Sequence, residues 1–145
     1  MKTILLAALL AAAAPLALAQ VDVRDAWIRA TVPSAKASGL FMRLTSSQDT
    51  QLVTVSSSVA GTAEIHQMKM EGQMMRMHPV EAIDLPAGLP VDLAAGGYHI
   101  MLMDLKRQLR PGDSIPVTLM FRKKGKLNDT VTLQVTVKPL NYTPR

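Results

Sequence analysis

Two stretches near the C-terminal end of this chain keep a strict period of two. Val131, Leu133, Val135 and Val137 alternate with Thr132, Gln134 and Thr136, and Ile115, Val117, Leu119 and Phe121 alternate with Pro116, Thr118, Met120 and Arg122. Only an extended strand sends successive side chains to opposite faces, so each stretch predicts a strand with one apolar side. Leu40 to Leu44, Leu52 to Val55, Val91 to Leu93 and Val23 to Ala30, which carries the sole Trp27, read as further strands. Turn residues punctuate them: Pro86-Ala87-Gly88, Gly96-Gly97, Pro111-Gly112-Asp113 and Lys124-Gly125. No segment after residue 19 sustains a 3.6-residue apolar stripe over three turns. The pattern predicts an all-β chain, an antiparallel β-sandwich of about seven to nine short strands.

The first nineteen residues have a different grammar. Lys2 precedes an apolar run, Ile4 to Leu16, and Ala17-Leu18-Ala19 supplies the small-x-small pattern of a cleaved export signal. The expectation is a signal peptide at 1–19, cleavage after Ala19, and one domain at 20–145 in the periplasm, without stable membrane insertion. Removing 19 residues from 145 leaves 126, and losing Lys2 takes the net charge from +5 to +4. A domain of this size buries a core without covalent staples. It must, because the sequence has no cysteine. Thiolate chemistry and cysteine-ligated blue copper are excluded for the same reason.

Five aromatic residues, scattered along the chain, are too few for a base-stacking surface. The basic charges are also scattered, apart from Arg122, Lys123, Lys124 and Lys126, which read as a solvated hairpin tip. Neither feature calls for nucleic acid. Methionine is the unusual residue. There are ten, and five fall between Met68 and Met77. Methionine is both a flexible core filler and a soft ligand, so its placement has to decide.

Thr62 to Met70 and Gln73 to Val80 read as two strands of a tight hairpin around Gly72. If Glu71-Gly72 are the central residues, His66 faces Met77. If Gly72-Gln73 are, Met68 faces Met77, with His66 on the diagonal. Both registers put His66, Met68, Met70, Met75 and Met77 on one face and Gln67, Lys69, Arg76 and His78 on the other. A methionine stripe alone is ordinary core filling. However, Gly97 to Asp104 repeats the theme, with His99, Met101 and Met103 on one face of another strand.

Two strands that each offer an imidazole and thioethers suggest soft-metal chemistry. Thioethers bind Zn²⁺, Mg²⁺ and Ca²⁺ poorly and suit Cu(I). Two imidazoles and two thioethers are all neutral, so the bound ion keeps its full charge, and a weakly polar surface tolerates +1 better than +2. On residue chemistry alone the candidates are His66 and His99 with thioethers from the methionines that share their faces, and the pattern does not choose among those methionines.

The spacing His66, ten residues, Met77, twenty-one residues, His99-Ile100-Met101 resembles the H-x₁₀-M-x₂₁-H-x-M signature of the periplasmic copper chaperone family PCuAC. Leu85-Pro86-Ala87-Gly88, Gly96 to Met103 and Leu109-Arg110-Pro111-Gly112-Asp113 are similar to the words around it, and the resemblance runs from Trp27 to Val137. It implies a cupredoxin-like Greek-key β-sandwich and Cu(I) held by His66, Met77, His99 and Met101, with Met68 and Met103, on the same faces, as reserve ligands. It also implies delivery toward the copper centre of cytochrome c oxidase, with the oxidase's copper-site subunit or a Sco-like thioredoxin-fold protein as acceptor.

The chain departs from the family in two places. Met68 stands where many members carry another His, and the end, Asn141 to Arg145, lacks the His- and Met-rich tail of some members. A second, Cu(II)-holding site is therefore not expected, and strand parity turns His78 away from the cluster. An enzyme is disfavoured: there is no Ser/His/Asp motif, no informative carboxylate pair and no phosphate loop. A metal-free sandwich would leave the paired His-Met strands without a reason. Copper sequestration without a defined recipient is the alternative to delivery, and a monomer is expected in either case.

Overall fold

The computed structural model describes residues 20–123 and 128–145. The expected signal peptide and cleavage point, and Lys124 to Lys126 of the basic tip, lie outside the described residues. The described chain forms ten strands: β1 (Val21–Arg29), β2 (Ala37–Ser46), β3 (Thr50–Ser57), β4 (Ala60–Glu71), β5 (Met74–Val80), β6 (Ile83–Leu85), β7 (Val91–Leu93), β8 (Tyr98–Leu105), β9 (Ser114–Arg122) and β10 (Asn128–Lys138). No helix among the described residues is long and apolar enough to cross a membrane.

The strands hydrogen-bond in the order β5-β4-β8-β2-β1-β10-β9-β3-β6, with β7 beside β2. This single sheet folds over on itself. β3 and β4, consecutive and in contact through the Ser58-Val59 turn, stand far apart in the hydrogen-bonded order. All pairings are antiparallel except one: β1 and β10 run parallel, through Trp27↔Thr136, Ile28↔Val137 and Arg29↔Lys138. This corrects the purely antiparallel expectation, and ten strands exceed the expected range. Alternation assigns a strand's faces and says nothing about its neighbour's direction.

One face of most strands supplies the core. Ile115, Val117, Leu119 and Phe121 are at most 1% exposed, so the alternation that predicted β9 is the burial pattern itself. In β10, Val135 and Val137 are buried, while Val131 and Leu133 pack at the rim. In β8, Ile100 and Leu102 point into this core. Each such side chain contributes about 1.5–3 kcal/mol by leaving water.

β1 carries a bulge between Arg24 and Trp27, with Asp25 at φ 53°. Beyond the bulge, consecutive Trp27 and Ile28 are both buried. Ile28 enters the core. Trp27 packs on Phe41 (ring centroids 4.6 Å) and meets the edge of Tyr142 (4.9 Å). The segment after β10 thus folds back over β1 and β2, tied by Arg29 Nη1 donating to the Leu140 carbonyl at 3.0 Å.

Candidate metal centre

β4 lies between β5 and β8, which brings three of the expected residues together. His66 on β4 is directly opposite His99 on β8. The β4–β5 hairpin takes the second of the two registers, with Met68↔Met77, Met70↔Met75 and Glu71↔Met74. Gly72 and Gln73 are therefore the central residues. Gly72 has φ 62° and Gln73 no positive φ, as a II′ turn with Gly first requires. His66 then faces Pro79, and Met77 reaches it on the diagonal.

The resulting cluster converges on one sulfur. Met77 Sδ lies 2.7 Å from His66 Nδ1 and 3.4 Å from His99 Nε2. The two rings are 5.7 Å apart, edge to face. The other nitrogen of each ring has an oxygen partner. Glu64 Oε2 lies 2.7 Å from His66 Nε2 and, as a carboxylate, accepts from it, which sets the ring with Nδ1 toward the sulfur. His99 donates from Nδ1 to the Gly97 carbonyl at 3.3 Å and keeps its Nε2 lone pair. One nitrogen of each ring, Nδ1 of His66 and Nε2 of His99, thus faces the same thioether.

Met101 stands on the same face, one pair beyond His99, across from Glu64 on β4 and Gly39 on β2. It is half-buried, and strand register alone holds it beside the cluster. Met103 is a pair further, opposite Thr62 and Ala37. Met68 is opposite Met77. His78 is on the other face, opposite Gln67, with Nε2 2.7 Å from Glu71 Oε1 in an ion-pair contact that lacks hydrogen-bond alignment.

The cluster lies on the outer face of the sheet, back to back with the core face that carries Ile65, Ile100 and Leu102. It has a sheltered end and an open one. His99 is 5% exposed, whereas Met77 is 47% exposed. Phe41 closes the His99 side, with ring centroids 6.4 Å apart. Its ring lies so close over Gly39 that a Cβ there would sit 2.5 Å from Phe41 Cζ, so position 39 needs glycine for this wall to form. Burial lowers the His99 pKa below its ordinary value. The Gly97 hydrogen bond opposes that shift, and the facing His66 adds to it. The imidazole is thereby kept neutral, the form that binds metal. Glu64, Gly97 and Phe41 are absent from the expected site. Only Glu64 had a readable signal, because it shares face parity with His66 two residues on.

Among the described residues, no three His, Cys, Asp or Glu side chains form a group able to hold a metal ion. The donor set that the cluster offers is two imidazoles with a thioether between them, and thioether sulfur suits soft monovalent ions. Fold and site define an all-β, cupredoxin-like domain with a surface imidazole–thioether cluster. The chain belongs to the LpqE-like lipoprotein family, whose model matches residues 21–137. Over 102 residues it is 34% identical to Lxx21020 of Leifsonia xyli subsp. xyli, covering 70% of this chain and spanning 61% of that relative. The apo PCuAC domain from PmoF1 superposes with a TM-score of 0.67 at 24% identity, covering 83% of this chain and 95% of that domain. The solution structure of Cu(I)-DR1885 from Deinococcus radiodurans gives 0.57 at 28% identity, covering 88% and 83%. The fold is that of PCuAC copper-binding domains.

Proposed function

We propose that this protein is an exported metallochaperone that binds one Cu(I) through His66, Met77, His99 and Met101 and hands it on in the periplasm. The observation that carries the reading is the pair of imidazole nitrogens that face the exposed Met77 sulfur. Likeness to PCuAC domains and to Cu(I)-DR1885 supports it. Glu64 and the Gly97 carbonyl orient the two rings, as hydrogen-bonded partners of metal-bound imidazoles do. Met77 is the entry point. An acceptor's ligand approaches the ion from the open side and replaces this neutral thioether first, while buried His99 releases last.

The proposed acceptor is the copper-site subunit of cytochrome c oxidase or a Sco-like protein. An acceptor with thiolates holds Cu(I) more tightly, and each tenfold advantage corresponds to about 1.4 kcal/mol of downhill transfer. The test incubates the Cu(I)-loaded protein with the purified apo acceptor domain and follows copper by mass spectrometry. Transfer, with loss of oxidase activity in a deletion strain under copper limitation, is the expected result. Retention of copper, with normal oxidase but raised copper sensitivity in that strain, would defeat delivery in favour of sequestration.

A further inference from the structure

The methionine face does not stop at Met77. Towards the hairpin tip the next opposed pair is Met70↔Met75, and neither residue has a place in the imidazole cluster. Four of the seven large apolar side chains exposed among the described residues are methionines of this hairpin. Met70 is 61% and Met75 47% exposed. Packing does not explain them, since they touch no core. Strand propensity does not either, because it favours β-branched and aromatic residues over an unbranched thioether.

The backbone brings these side chains close. The Met68 N–H donates across to the Gly97 carbonyl at 3.1 Å, so at this residue β4 turns its hydrogen-bonding groups toward β8 and away from β5. Met68↔Met77 is therefore a non-hydrogen-bonded pair, and Met70↔Met75, two residues on, is another. In such pairs the Cα atoms are about 4.5 Å apart and the side chains approach more closely than in the hydrogen-bonded kind. Met68 and Met70 are separated by two residues along β4, about 6.8 Å. Three flexible thioethers, from Met68, Met70 and Met75, thus stand as neighbours on one patch of the sheet face. Met74 pairs with Glu71 and belongs to the opposite face.

We infer a second soft-metal site on this hairpin, an all-thioether Cu(I) site formed by Met68, Met70 and Met75. It rests on the imidazole cluster as the copper site and adjoins it, because Met68 is the direct cross-strand partner of Met77, the sulfur that both imidazoles contact. Without an imidazole it holds copper more weakly than the His66–His99 cluster. It captures the ion at the exposed tip and passes it down the ladder to Met77, so loading becomes a series of single-thioether exchanges.

The experiment titrates the apo protein with Ag(I), a soft ion of the same charge, and reads bound equivalents by native mass spectrometry and methionine methyl shifts by NMR. The wild type is expected to take one tight and one weaker equivalent, the weaker shifting the methyls of Met70 and Met75. Met70→Leu/Met75→Leu, which conserves volume and apolarity, should lose the weaker equivalent and keep the tight one. His66→Ala/His99→Ala should lose the tight equivalent and keep the weaker. Saturation of the wild type at one equivalent, or survival of the weaker equivalent in the double leucine variant, overturns the second site without touching the first. Loss of the tight equivalent alone from the wild type would instead count against the imidazole cluster.

Discussion

β9 and the β4–β5 hairpin obey the same period of two and use it in opposite ways. In β9 the repeating face is branched or aromatic and at most 1% exposed. In the hairpin it is thioether, and its outer members are about half exposed. β8 joins the two modes within one strand. Ile100 and Leu102 enter the core, while His99, Met101 and Met103 share the outer face with His66. Alternation therefore marks a face, and only the chemistry of the repeating side chain distinguishes a core face from an exposed imidazole–thioether face.

Truncation should break the comparison most sharply at its core end. Leu119→Ala should cost about 2–5 kcal/mol of stability, because the buried site cannot fully collapse. Met75→Leu on the exposed face should stay within about 0.5 kcal/mol. Chemical denaturation of both variants checks this, and similar losses would contradict the assigned faces.

For copper the ranking reverses. His66→Ala or His99→Ala removes a directed lone pair and should lower Cu(I) affinity by more than about a hundredfold, roughly 2.7 kcal/mol, measured against a competing Cu(I) chelator. Leu119→Ala should leave the affinity of the folded fraction unchanged. Glu64→Ala should be milder, about 10- to 100-fold, since it only frees the His66 ring to turn. X-ray absorption of the wild-type complex should show sulfur as well as nitrogen around Cu(I).

The smallest expected effect concerns acid. Above the ordinary histidine pKa of about 6.5, His99 is neutral whether folded or not and contributes nothing to pH dependence. As pH falls below it, the unfolded chain takes the proton first, because burial holds the folded pKa lower. The apo protein therefore loses stability on acidification, until the folded imidazole is also protonated. His99→Gln should flatten that part of the profile, as read by denaturation at neutral and mildly acidic pH. Bound Cu(I) should be released over a lower range, since metal competes with the proton.

The one-dimensional pattern was enough for every strand except the three-residue β6, for the two faces of those strands that carry no bulge, and for the grouping of His66 with Met77 and of His99 with Met101. Parity along a strand is a local property, and thioether beside imidazole is legible as chemistry without coordinates. Parity could not choose between the two hairpin registers. The conformation at Gly72 decided for Met68 opposite Met77, which moved His66 to the diagonal. Nor could it foresee that β8 pairs with β4 so that the two histidines stand opposite each other, that β1 and β10 run parallel, or that Phe41 folds over Gly39 to bury His99. Those depend on which strands become neighbours, and in what direction. Contacts across the whole sheet, between residues dozens of positions apart, settle that, and no local repeat records them.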